Sequence, residues 1–363
     1  MDRDIYLHIG TMKTGTTAVQ YVGSRNRERL RQDGIYYPKV PGGPSHMKLA
    51  LYALGDSGEK TPLRTNTGLT ERTAWDGFRR SFADELREEI RGSDCKQIVL
   101  SSEHLSWLLH QPSAVRRVAD LLRPIGLVKV VCYVRPQHEL FLSWVSTAIK
   151  MGITRQPTVP HTGKEFQYDY ETMLNLWANE FGQENIIVRV YDPKLLTGGD
   201  VVTDFFAVLR HHLGPDFITP KNLNPRLDRD TMNFLLILNE HLPRFVGNAL
   251  NPERAGIVQA LEAISTGPRQ WTDPAVLRRI VTLYQESNAA VAARFLGRSD
   301  GILFPNLTII DDPAGNTLSI EKAVEIAVHL WRWKVTRRPK LGERPKLGQR
   351  ATDDGGSNES TSA

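Results

Sequence analysis

Short apolar runs separated by amphipathic stretches set the framework of this chain. Ile5-Tyr6-Leu7-His8-Ile9 is apolar but for one histidine and reads as a strand buried on both faces. Residues 97–101, 127–134 and 186–191 repeat that signature. Leu127–Val134 is nearly all apolar and β-branched, as a strand covered on both sides of a parallel sheet should be. Between these runs the apolar spacing turns helical. Ala18, Val19, Tyr21 and Val22 predict a helix that begins near Thr16 or Thr17 and runs to about Gln32, with Gly34 as its stop. Further helices are predicted over 75–91, 113–122, 138–150 and 170–181. Residues 35–38 should be extended, and 55–75 an irregular surface excursion. After Asp192 the pattern is mostly helical, over 200–211, 228–240, 252–264, 273–295 and 319–333. Strands alternating with helices predict an α/β fold: a mainly parallel central sheet flanked by helices, with a largely helical C-terminal half.

Composition adds little to this picture, and charge adds one correction to first appearances. The chain has 363 residues, 40% hydrophobic and 24% charged, which suits one large domain with a sizeable core. A net charge of +5 looks basic. Between Lys334 and Arg350, however, stand seven Lys or Arg and one Glu, and three acidic residues follow, so residues 1–333 carry only about +2. Charge therefore gives no indication of nucleic-acid binding. The segment Arg338-Pro339-Lys340-Leu341-Gly342-Glu343 is repeated as Arg344–Gln349, and the end is rich in Gly, Ser, Asn and Thr. Residues 334–363 are expected to form a disordered tail behind a single domain, 1–333. Two cysteines, Cys95 and Cys132, make no disulfide framework and read as free thiols. No apolar stretch approaches the ~20 residues of a bilayer span. Met1-Asp2-Arg3-Asp4 runs straight into the first strand, so no signal peptide and a cytoplasmic location are expected.

The chemistry concentrates at two strand ends. Ile9-Gly10-Thr11-Met12-Lys13-Thr14-Gly15-Thr16-Thr17 reads as strand, tight turn and capped helix start, a place where free backbone N–H groups and a helix dipole converge on an anion. Gly15 would permit close approach of the backbone, and Lys13 would supply a mobile charge. It is not a Walker A loop, in which lysine directly follows the second glycine; here Thr16 does, and the lysine stands at 13. The other feature is Tyr133-Val134-Arg135-Pro136, at the C-terminal end of a predicted parallel strand, where open α/β sheets bind ligands. Ser143 lies eight residues on, about two helical turns, and can share a face with Arg135. Arginine and serine together suit a second phosphate.

These two features together resemble the sulfotransferases that use 3′-phosphoadenosine 5′-phosphosulfate (PAPS). Lys13-Thr14-Gly15-Thr16-Thr17 resembles the family's 5′-phosphosulfate loop, and Arg135 with Ser143 resembles its 3′-phosphate pair. His8-Ile9-Gly10 and Gly34-Ile35-Tyr36-Tyr37-Pro38 are similar to bacterial members. The likeness is firm over 5–150 and loose over 180–310, where Asn222-Leu223-Asn224-Pro225 resembles a later cofactor-side loop. It implies a P-loop-like fold, with a PAPS-binding core at 5–150 and 180–230 and a helical acceptor side at 230–333. It implies sulfuryl transfer to a hydroxyl or amine of a carbohydrate or glycoconjugate. Lys13 would neutralise the leaving oxygen, and Ser143 would hold that lysine back until the acceptor arrives.

No metal is expected, because the leaving group is already a stable phosphate anion and the third strand ends in Arg135 and not in Asp. The attacking group must lose a proton, so a base is required. Glu103, which follows the second strand, is favoured. His46 comes second, where carbohydrate sulfotransferases often place a glutamate. His104 is third, at a place resembling the base of cytosolic members. The alternatives are a nucleotide-dependent kinase or NTPase, and a non-catalytic nucleotide-binding protein on the same fold.

Overall fold

A computed structural model of the chain describes residues 3–155, 158–220, 227–247, 249–268, 272–311 and 317–336. The first strand, β1 (Asp4–Gly10), leads through a loop to α1 (Thr16–Arg25), α2 (Arg27–Gln32) and β2 (Ile35–Tyr36). Then come α3 (Met47–Leu54), α4 (Pro62–Asn66), α5 (Arg72–Arg91) and β3 (Gln97–Ser101). Two helices, α6 (His104–Leu108) and α7 (Pro112–Leu122), precede β4 (Leu127–Val134). Another two, α8 (Gln137–Lys150) and α9 (Tyr170–Phe181), precede β5 (Ile186–Val190). Beyond it lie α10 (Val201–Val208), α11 (Arg229–His241), a small hairpin β6 (Phe245–Val246) and β7 (Ala249–Leu250), α12 (Ile257–Ile264), α13 (Pro274–Leu283), α14 (Gln285–Leu296) and α15 (Ile320–Thr336).

The five-stranded sheet has the order β2-β3-β1-β4-β5 and is parallel throughout. The class is thus α/β with helices on both faces. The central strand shows why. Its odd positions, Ile5, Leu7 and Ile9, enter the larger core with Leu100, Val130 and Val188, under α3, α5, α7, α8 and α9. Its even position Tyr6 enters a second core with Val99, Val131 and Tyr133, under α1, α2 and α10. Period-two alternation with both faces covered leaves no polar face, so the strand is apolar almost throughout. Because β3 and β4 flank β1 on opposite sides, the connection between them crosses over at β1. The loops at the C-terminal ends of β3, β1, β4 and β5 open on the same edge, where ligands of such sheets bind.

The described elements depart from the predicted ones in several places, and the helix predicted over 273–295 is two, α13 and α14. The first helix does not run unbroken to Gln32: it breaks at Asn26, whose buried amide donates to the Ile218 carbonyl at 2.9 Å and accepts from the Ile218 N–H at 2.8 Å. The extended segment after Gly34 is a fifth strand, pairing Ile35 and Tyr36 with Gln97 and Ile98. The surface excursion at 55–75 is mostly helical and buries Leu63 and Trp75. The C-terminal helix continues through Lys334 to Thr336, and the repeat that follows lies outside the described residues.

The second core closes around one buried carboxylate. Asp204 on α10 accepts from Arg189 Nε at 2.9 Å, from the Tyr133 hydroxyl at 2.7 Å and from the Thr197 N–H at 2.9 Å. It also pairs with Arg189 Nη2. Burial pushes this carboxyl up, but the donors around it outweigh burial and hold it below the ordinary carboxylate value. Its stabilisation is therefore present above the unfolded carboxylate range and is lost as the pH falls through the lowered value. Asp204→Ala leaves Arg189 and Tyr133 unpaired against the sheet and should cost about 3 kcal/mol of unfolding free energy at neutral pH, read by denaturant titration.

Candidate functional site

The loop after β1 is shaped to gather donors. Thr11 is held to the next strand: its N–H and its hydroxyl both donate to the Tyr133 carbonyl, at 2.9 and 3.0 Å. The Thr14 and Thr16 hydroxyls then both donate to the Thr11 carbonyl, at 2.7 and 3.2 Å, which folds the turn back on itself. Lys13 sits at φ 64°, a left-handed conformation that a lysine adopts only when its surroundings impose it. Gly15 is the N-cap of α1 and brings no side-chain cap. Among the described residues, the N–H groups of Thr14, Gly15, Thr16 and Thr17 donate to no backbone carbonyl. Such unpaired N–H groups at a helix start, with its dipole, suit an anion.

Gly15 is glycine for reasons other than the expected open approach. Its φ is +81°, and a Cβ there would stand 2.6 Å from Val201 Cγ1 at the start of α10. The residue is required by the turn and by packing on its far side.

The Lys13 side chain crosses to α8, where Nζ donates to Thr147 Oγ1 at 2.7 Å. That hydroxyl in turn donates to the Ser143 carbonyl at 3.1 Å. Ser143 thus reaches the lysine through its backbone and through Thr147, one turn farther along. Thr147 was invisible to motif spacing, since a threonine mid-helix carries no distinguishing sign in the sequence.

Arg135 leaves the end of β4 and is almost wholly buried, at 3% exposure. Its Nη1 donates to the Lys13 carbonyl at 2.8 Å, and Nη2 pairs with Glu139 Oε2 at 2.6 Å. The guanidinium lies over the Tyr191 ring, 5.6 Å from its centroid, just past β5. Among the described residues, Nε is buried without an acceptor. A cleft of about 390 Å³ opens here, lined among others by Arg135, Glu139, Tyr191, Lys194 and Asn306. Glu139 and Tyr191 are further site residues that the sequence did not single out.

The three base candidates occupy different settings. Glu103 caps α6 directly over the end of β1: a Cβ on Gly10 would meet its Cα at 3.2 Å. Gln20 of α1 donates to its Oε2 at 2.8 Å. His104 is mostly buried, with Nδ1 3.4 Å from the Ser102 hydroxyl, and burial lowers its pKa although Glu103 opposes this. His46 is fully buried and uses both ring nitrogens on backbone. Its Nδ1 accepts from the Ser101 N–H at 3.0 Å, and Nε2 donates to the Pro38 carbonyl at 3.1 Å. The His46 N–H completes the set by donating to the Ser101 carbonyl at 2.9 Å. The side chain takes the place of strand partner beside β3, beyond the point where the two-residue β2 ends.

The structure therefore brings the loop 13–17, Arg135, Ser143 and Glu103 to one sheet edge and sets His46 into the wall behind it. Residues 222–225 lie outside the described residues. Tyr168 is buried in the larger core. Among the described residues, no group of three or more His, Cys, Asp or Glu could hold a metal ion, and no helix is long and apolar enough to cross a membrane.

No protein-family model matches the chain. An uncharacterized protein of Archaeoglobus fulgidus is 35% identical over 85 residues, 23% of this chain and 23% of that protein. The chain thus matches under a quarter of that relative's length. Among solved structures, the chain is weakly similar to a sulfotransferase from Alicyclobacillus acidocaldarius, with a TM-score of 0.34 and 17% identity over 66% of this chain and 93% of that one.

His8 is a second buried histidine beside β3, but among the described residues its Nε2 has no partner. It is fully buried on the β1 face opposite Ile9, with Nδ1 2.9 Å from the Ser101 hydroxyl, so Ser101 is shared by both histidines. Burial lowers each imidazole to about 3. Both are depressed below the ordinary 6.5, so the folded state binds fewer protons than the unfolded state between these values. Stability should be complete above about pH 6.5 and fall as the pH drops toward 3. Between pH 7 and pH 5 each histidine should cost about 2 kcal/mol, read as a falling denaturant midpoint. His46→Gln should lower stability at pH 7 and flatten this slope.

Proposed function

We propose that this chain is a sulfotransferase that moves a sulfuryl group from PAPS to a hydroxyl or amine, most suitably on a carbohydrate or glycoconjugate. The observation that carries this reading is the bond from Arg135 to the Lys13 carbonyl. It joins two anion-binding features at adjacent strand ends into one unit, as a donor with two separate phosphate groups requires. The Nε–H of Arg135, without an acceptor among the described residues, offers a donor to a bound 3′-phosphate oxygen. The loop N–H groups and Lys13 suit the phosphosulfate end.

In this reading the acceptor oxygen or nitrogen attacks sulfur in line as the bond from sulfur to the 5′-phosphate oxygen breaks. Lys13 meets the charge growing on that oxygen, a role for which position and electrostatics suffice. Thr147 holds Nζ beforehand, so the lysine must exchange one hydroxyl for the leaving oxygen. The acceptor's proton passes to Glu103, whose carboxylate Gln20 holds at the sheet edge. The products are the sulfated acceptor and adenosine 3′,5′-bisphosphate. Glu139 occupies one arm of Arg135, so a phosphate binding there competes with a carboxylate of like charge.

Thermal melting with adenosine 3′,5′-bisphosphate, ADP and ATP tests the donor class, since a ligand bound by the folded state raises its apparent stability. Selective stabilisation by the 3′,5′-bisphosphate is expected, and stronger stabilisation by ATP would sink the reading in favour of a kinase. Glu139→Gln should increase the bisphosphate shift. With labelled PAPS and an acceptor panel, transfer should persist in EDTA. Lys13→Ala should abolish it, and Glu103→Gln should slow it by about 10²–10⁴-fold while leaving the bisphosphate shift in place.

A further inference from the structure

The last helix is apolar on two faces and covers only one of them. Ala323, Ile326, Leu330 and Trp333 of α15 turn inward, with Ile326 fully buried and Trp333 Nε1 against Gly256. Opposite them Ile320, Val324, Val328, Trp331 and Val335 are all exposed, Ile320 at 79% and Trp331 at 72%. Their spacing is four, four, three and four residues. At about 100° per residue they form one continuous stripe along a helix about 25 Å long. Isolated exposed apolar residues need no explanation, whereas an unbroken stripe that includes a tryptophan marks a binding surface.

The charges beside the stripe identify what it binds. Glu321, Glu325 and Arg332 lie on one flank and Lys334 on the other. A twofold axis across two antiparallel helices brings each flank against the same flank of the second copy. With that axis between Val328 and His329, Glu325 meets Arg332 of the other copy, and the contact is made twice. At the same register Trp331 falls between the second copy's Val324 and Val328, and Val335 between its Ile320 and Val324. A parallel pair would instead set Arg332 toward Lys334 and stack Trp331 on itself. The acidic flank near the helix start also disfavours an anionic lipid surface.

We infer that α15 is the self-association surface of this protein, pairing antiparallel with α15 of a second copy around a twofold axis. A self-complementary patch of this kind closes at two copies. A single pair of helices is a smaller seam than the roughly 800 Å² per partner of a standard interface, so the dimer should be reversible and concentration-dependent. Among the described residues, Glu325 pairs with exposed Lys322, at 2.9 Å, a contact of little value that it can give up.

Sedimentation of the full chain over a wide concentration range tests this. A monomer–dimer equilibrium is expected, with Trp331→Glu weakening it more than about tenfold and leaving the melting temperature unchanged. Glu325→Arg and Arg332→Glu should each weaken association, and the double swap should restore it, because it rebuilds both cross-copy pairs with their signs reversed. A monomer at every concentration would overturn the inference, as would a dimer indifferent to Trp331→Glu, or single and double swaps that weaken association additively. A chain that stays monomeric but binds anionic lipid vesicles through Trp331 would overturn it in favour of a membrane contact.

Discussion

The candidate site hangs on where one arginine is buried. Taking a guanidinium out of water is expensive, and only a full set of acceptors makes it tolerable. Arg135 meets this demand in part, with the Lys13 carbonyl, the Glu139 carboxylate and the Tyr191 ring, one from each of three neighbouring segments. The left-handed turn at Lys13 is what aims its carbonyl at the arginine. The same turn leaves the following N–H groups facing outward. Strain in the loop and burial of the charge thus support each other, and neither the turn nor the arginine would hold its place alone.

The sheet was legible because both of its faces are covered. The strands at 97–101 and 127–134 stand where their apolar runs placed them, and the alternation of strand and helix fixed the parallel class. Legibility failed where tertiary bonds override local pattern. Asn26 breaks a helix for the sake of a backbone nearly two hundred residues away. A two-residue edge strand carries too little periodicity to announce itself. At the site, Lys13, Arg135 and Glu103 were readable because charged residues at strand ends are conspicuous. Thr147, Glu139 and Tyr191 were not, since each acts through a contact with a residue distant in sequence or on the next turn of a helix. His46 looked like chemistry for the same reason that it serves as structure: an imidazole offers one donor and one acceptor, which is also what a missing strand residue would supply.

Two kinds of polar burial coexist around the sheet. Asp204 and His46 are buried with their side-chain bonds made, and they fasten strands to their neighbours. Arg135 is buried with its Nε left without an acceptor among the described residues. The former set the shape of the edge; the latter marks a place on it where an incoming acceptor atom would complete a network and not disturb one.

The packing of Gly15 against Val201 changes how the loop motif should be read in other chains. A side chain at this position would collide with α10 whether or not any anion ever bound, so the glycine records the architecture of the fold. A descendant that lost its reaction would keep it. The lysine two residues earlier bears no such load on its far side. Its loss, or the loss of the threonine that holds it, would be the trace that such a change leaves in a sequence.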